Sequence, residues 1–158
     1  MSEDHKDIGK LLKSIHEGLQ KYSVQELNRA IITTLKKSGK EYSILKIDYA
    51  LQMVCDEYNI TRFTLIHTKD RGEIQDAKRI AYCLLHLDIG LTIRHIAENV
   101  FGCYHNSVAS GIKKLRYAKQ NIKHEKELIE RYRLLSEKLK NYINEQNQIE
   151  QIEHENIS

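Results

Sequence analysis

The chain has 158 residues, of which 41% are hydrophobic and 30% charged, with no proline and only seven glycines; this is enough for a core plus an extension and predicts an all-α fold. No apolar run approaches the roughly 20 residues a bilayer requires, and the opening MSEDHKDIGK lacks the apolar stretch of a secretory signal, so the expected location is the cytoplasm and the expected partners exclude a membrane. The net charge of +3 is too small to name a partner by itself.

The first predicted helix runs from Asp7 to about Tyr22, where Ile8, Leu12, Ile15, Leu19 and Tyr22 are spaced 4, 3, 4, 3 as in a short coiled-coil seam. Ser23-Val-Gln-Glu26 is a capping box that starts a second helix to about Lys37, and Ser38-Gly39 ends it. Ser43 is then expected to cap a third helix with Ile44, Ile47, Leu51, Cys55 and Tyr58 along one face. From Asn59 to Gly72 the pattern is irregular, with a short turn at Arg62 to Ile66 and a polar loop from His67. A strong helix follows, carrying Ile74, Ala77, Ile80, Ala81, Leu84 and Leu85 at helical spacing, and Asp88-Ile-Gly90 closes it. Thr92 is placed to cap a short helix with Ile93, Ile96, Ala97, Val100 and Phe101 inward, and Gly102 to supply a left-handed stop. The next helix opens near His105 with Val108, Ile112 and Leu115 inward. The last, from about His124 to Gln148, repeats the 4, 3, 4, 3 spacing through Leu128, Tyr132, Leu135, Leu139 and Tyr142, and the final ten or so residues are expected to fray. The organisation expected is an N-terminal helical extension (1–42), a central domain (43–121) and a long C-terminal helix with an acidic tail (122–158). The two heptad stripes, Ile8/Leu12/Ile15/Leu19 and Leu128/Tyr132/Leu135/Leu139, either bury each other or pair two copies as a homodimer.

Charge is unevenly distributed along the chain. Between Gly111 and Lys140 ten Lys and Arg face four Glu, and after Lys140 come four Glu with no Lys or Arg. A basic block beside an acidic tail favours an anionic partner for the block, although a solvated helix face reads the same way. The three cysteines, Cys55, Cys83 and Cys103, form no CxxC pair and read as small apolar residues.

The informative stretch is Thr92 to Leu115: an amphipathic helix, a glycine turn, and a helix opening with polar side chains. A helix-turn-helix has this order, with the second helix in the major groove and its first turn at the base edges. Tyr104, His105, Asn106 and Ser107 occupy that turn, while Ser110, Lys113, Lys114 and Tyr117 lie outside the core stripe, the lysines suited to phosphates. The string Ile96-Ala-Glu-Asn-Val-Phe-Gly-Cys-Tyr-His-Asn-Ser-Val108 resembles the signature I-G-x-x-F-G-G-R-D-H-[ST]-[ST]-V of the DNA-binding C-terminal domain of the bacterial replication initiator DnaA, without gaps through Leu115. The run from Ile74 to Leu85 looks like the long helix that precedes the motif in that family, so the likeness spans about Cys55 to Lys119.

The resemblance implies a Trp-repressor-like helix-turn-helix fold, duplex DNA as partner, no cofactor, and a role linked to replication initiation or its regulation, at the nucleoid. Carried over by position, it makes His105, Asn106 and Ser107 the major-groove readers, Lys69 and Arg71 the loop cations for the minor groove, and Lys78 and Thr92 phosphate contacts. The chain departs from the pattern where Cys103 and Tyr104 replace the family's arginine and acidic residue, and where Asn106 replaces a hydroxyl residue. Asn can bond adenine bidentately, so a different target sequence is expected. The initiator's ATPase has no counterpart: Gly9-Lys10 and Gly39-Lys40 both lack the upstream glycine of a phosphate loop.

Rival readings of the same residues are weaker. Cys83, His86, Cys103 and His105 assemble into a zinc site only if two distant pairs converge, and the second pair is tightly spaced for chelation. No Ser/His/Asp or paired-carboxylate pattern points to an enzyme. The remaining alternative is a protein-interaction or dimerisation module, or a transcription regulator, in which the heptad helices carry the main function.

Overall fold

The computed structural model describes residues 41–69 and 71–157 and, ahead of them, residues 10, 13–18, 20, 21, 23, 25, 26, 29 and 30. Two units are present, Met1–Ser43 and Ile44–Ser158. Among the described residues all regular structure is helical, and no helix is long and apolar enough to cross a membrane.

In the first unit the capping box forms: the Ser23 amide donates to Glu26 Oε2 at 2.8 Å, and the Glu26 amide donates to Ser23 Oγ at 3.3 Å. Those bonds hold the Glu26 carboxyl below its ordinary range. Of the first heptad stripe Ile8, Leu12 and Leu19 lie outside the described residues, as does the break at Ser38-Gly39; Ile15 is exposed.

The second unit is built from α1 (Glu41–Tyr58), α2 (Arg62–His67), α3 (Gly72–Cys83), α4 (Ile93–His95), α5 (His105–Arg116) and α6 (Lys123–Ile157). Ser43 falls inside α1 rather than capping it, and Ile44 is exposed; the buried face is Ala50, Leu51, Val54, Cys55 and Tyr58. The expected turn at Arg62 is a helix, because Thr61 Oγ1 accepts from the Thr64 amide at 3.1 Å and starts it, burying Leu65. Helix α3 runs on into a π-helical turn, Leu84–Asp88, and Gly90 (φ +89) ends it. Helix α4 likewise widens into a π-helical segment, Ile96–Phe101, stopped by Gly102 at φ +60. Ala77, Ile80, Ala81, Leu84, Leu85, Ile96, Ala97, Val108, Ile112 and Leu115 fill the core as their spacing required.

Helix α6 is a wall of this core. Leu128, Leu135 and Leu139 are buried in the same cluster as residues of α1, α3 and α5, so these side chains are taken up by packing within the unit. Polar anchors fix it along its length. His124 Nε2 lies 2.9 Å from Asp76, Arg131 lies over the Tyr58 ring, and Tyr142 stacks on Tyr49 at 3.8 Å. Tyr132 and Ser136 donate to Asp88, which Lys140 also approaches at 3.6 Å. The helix continues to Ile157, beyond its expected end at Gln148.

The most extensive helix packing is between α3 and α5. It is possible because Gly111 faces the ring of Tyr82: a Cβ there would sit 2.7 Å from Tyr82 Cδ2. The ring cannot swing aside, since Tyr82 is buried and meets Phe101 edge-on at 4.8 Å.

Two stability measurements check this packing. Gly111→Ala, which helix propensity alone would make stabilising by about 1 kcal/mol, is expected to destabilise by about 1–2 kcal/mol net, because overpacking outweighs propensity; urea unfolding reads the sign. Leu139→Ala should cost about 2–5 kcal/mol, whereas a solvent-facing dimer residue would cost the isolated chain little.

Candidate nucleic-acid interface

The turn between α4 and α5 is set by local chemistry. Thr92 Oγ1 accepts from the His95 amide at 3.1 Å, capping α4. At the other end the Cys103 amide donates to the Ala97 carbonyl at 2.9 Å, wrapping the chain around Gly102. Tyr104 is extended, its carbonyl accepts from the Ser107 amide at 3.0 Å, and α5 begins at His105.

This geometry leaves Tyr104, His105, Asn106 and Ser107 all exposed, and the terminal helix does not cover them. Asn106, Ser110, Lys113 and Tyr117, spaced 4, 3 and 4, form one exposed stripe opposite Val108, Ile112 and Leu115. Ser107 and Lys114 turn toward α3. With Asn106 and Ser110 they line a hollow of about 330 Å³ whose far wall is Gln75, Lys78, Arg79 and Tyr82. His105 turns the other way, toward Glu98. A second hollow of about 420 Å³ is lined by Glu98, Cys103, Tyr104, His105 and Asn106. Asn106 is common to both.

Other expected site residues fall elsewhere. Lys69 and Arg71 are exposed in the connection ahead of α3, outside both hollows. Thr92 is exposed, and its hydroxyl accepts the cap bond with its O–H still free to donate. Lys78 is buried, and its Nζ donates to the Thr68 carbonyl at 2.7 Å, a bond that ties the end of α2 to α3 instead of leaving the side chain in solvent. The basic block also divides. Among the described residues Lys113 and Lys114 form no ion pair, whereas Arg131 engages Tyr58 and Glu57 and Lys140 approaches Asp88.

Glu98, Arg94, Gln75 and Arg79 were not singled out from sequence. Arg94 Nε donates to both Glu98 oxygens, at 3.1 and 3.2 Å, and their four-residue spacing carried that signal. His105 Nε2 lies 3.0 Å from Glu98 Oε1, seven residues away across the turn. The Arg94 bond first, and the His105 bond second, hold the Glu98 carboxyl below its ordinary range.

The residues of the conceivable zinc site do not converge. Among the described residues no group of three or more His, Cys, Asp and Glu is arranged to hold a metal. His86 Nδ1 is 2.7 Å from the Leu91 carbonyl, and burial pushes the Cys83 thiol up to about 12, keeping it protonated.

No family profile, curated protein or solved structure matches this chain.

The lowered Glu98 carboxyl gives a pH prediction with a definite sign. A depressed folded-state value means that the link contributes above the ordinary Glu range, near 4.5, and is lost as pH falls through the lowered value. Carboxyl-detected NMR titration should therefore show Glu98 protonating below the ordinary Glu range, with the His105 ring signals moving in step.

Proposed function

We propose that residues 44–158 bind duplex DNA sequence-specifically through a DnaA C-terminal-type helix-turn-helix, in which α4 braces and α5 enters the major groove. The observation that carries this reading is the first turn of α5: three short polar side chains, His105, Asn106 and Ser107, stand exposed at the free N–H end of a helix whose opposite face is buried. Such an end suits base edges and backbone phosphates. Asn106 offers the amide that pairs with adenine N6 and N7. Lys113 and Lys114 supply phosphate contacts, and Tyr104, the most exposed aromatic ring of the turn at 85%, offers an apolar surface for a thymine methyl. Lys69 and Arg71, exposed just after Thr68, are assigned by this reading to the minor-groove arm.

The resemblance between Ile96 and Val108 supports a place in replication initiation or its control. The role is that of a non-catalytic binder, acting at the nucleoid, with DNA as its macromolecular partner.

The test is selection of bound sequences from random duplex DNA, followed by salt titration. His105→Ala and Asn106→Ala should each relax preference at one position and cost about 1–3 kcal/mol on the selected site. Lys113→Ala and Lys114→Ala should weaken all sequences alike and lower the salt slope by about 1 each. Equal, salt-insensitive indifference to every duplex would falsify the proposal.

A further inference from the structure

We propose that Glu98 is a specificity-determining residue that fixes the proton position on His105 and thereby decides which base edge His105 accepts; this rests on the DNA-binding reading above. Glu98 sits at the second helix turn of the brace, held by Arg94 through both carboxylate oxygens. Its Oε1 faces His105 Nε2 at 3.0 Å. The pairing with Arg94 and His105 keeps the carboxyl ionised down into the acid range. An ionised carboxylate offers lone pairs only. A neutral imidazole facing it must therefore carry its proton on Nε2, and the other ring nitrogen, Nδ1, is left with a lone pair.

The consequence follows from the donor and acceptor pattern of the major groove. Adenine N6 and cytosine N4 are donors there, while guanine presents N7 and O6 and thymine O4, all acceptors. A base edge brought to the hollow lined by Glu98, Cys103, Tyr104, His105 and Asn106 meets an acceptor at His105 Nδ1. It is held if it carries an amine. Guanine or thymine at that position leaves two acceptors facing each other, a mismatch that disfavours them about tenfold. Without Glu98 the imidazole exchanges between its two neutral forms and this discrimination disappears. The charged neighbours of the ring are Arg94, through Glu98, and Glu98 itself; Tyr104 and Cys103 are the other titratable groups around it. No other described ion pair reaches His105.

Two measurements on the full chain test this. Nitrogen-15 NMR of the free protein, at a pH where the ring is neutral, should show His105 as the Nε2–H form, and Glu98→Gln should convert it to a mixture. Selection from random duplex DNA is then run on the wild type, His105→Ala and Glu98→Gln. The column at which His105→Ala loses its preference for adenine or cytosine should be the column at which Glu98→Gln loses it too, by about tenfold. Binding of Glu98→Gln to unselected duplex should rise, because an acid has been removed from a surface facing a polyanion. A wild-type ring in the Nδ1–H form overturns the proposal. So does an unchanged preference in Glu98→Gln while duplex is still bound. A wild type that binds no duplex overturns the DNA-binding reading and the base choice with it, and the NMR spectrum then still reports whether Glu98 holds the ring proton.

Discussion

Helix α5 can lie against α3 only because residue 111 has no side chain. The Tyr82 ring occupies the space where a Cβ would project, and Phe101, the last residue before the Gly102 turn, backs that ring from the side. One aromatic residue is thus clamped between the brace, the turn and the outward-facing helix. The same contact sets the depth at which α5 sits and the direction in which Asn106 and Ser110 point, so the arrangement of exposed polar groups depends on a close contact in the wall of the hollow they share with Tyr82. Close packing transmits such a constraint because an interior without voids cannot absorb a shift of a few tenths of an ångström.

Much of this was legible in the sequence. The stops at Gly90 and Gly102, the cap at Thr92 and the inward stripe Val108, Ile112 and Leu115 all follow from local rules that act within four or five residues. What escaped were features decided by distant partners. Lys78 reads as a surface cation until the Thr68 carbonyl is placed beside it. The heptad stripe of α6 reads equally as a seam between copies or as a core wall, since burial in either setting requires the same spacing; only the packing of Leu135 and Leu139 against the rest of the unit decides. Glu98 and His105 are seven residues apart on two different helices, and their contact depends on how the chain turns at Gly102 between them. Helix α2 was missed because its six residues are too few to show a period, though Thr61 and Thr64 held the local signal.

Asp88 does for α6 what Tyr82 does for α5. It stands at the end of the π-helical turn and gathers the hydroxyls of Tyr132 and Ser136 and the ammonium of Lys140. With burial as the first cause and the neighbouring Asp88 charge as the second, the Tyr132 hydroxyl is held well above its ordinary range and stays protonated as a donor. The widened turn has a structural use here: the backbone bond from the Ile89 amide to the Leu84 carbonyl spans five residues, and it closes the helix at the point where Asp88 meets α6.

The separation of charge along α6 has a physical result of its own. Its acidic turns, Glu145, Glu150, Glu153 and Glu155, follow Lys140 past the Asp88 end of α3, whereas Lys113 and Lys114 ride on the helix that packs against residues 75–82. Helix α6 is therefore charge-separated along its own axis, net basic from Lys123 to Lys140 and acidic beyond. In the field of any long polyanion it experiences a torque before contact, turning the lysine end forward and the glutamate end away. Such pre-alignment narrows the set of encounter poses and speeds productive collisions, while adding little to how tightly the final complex holds.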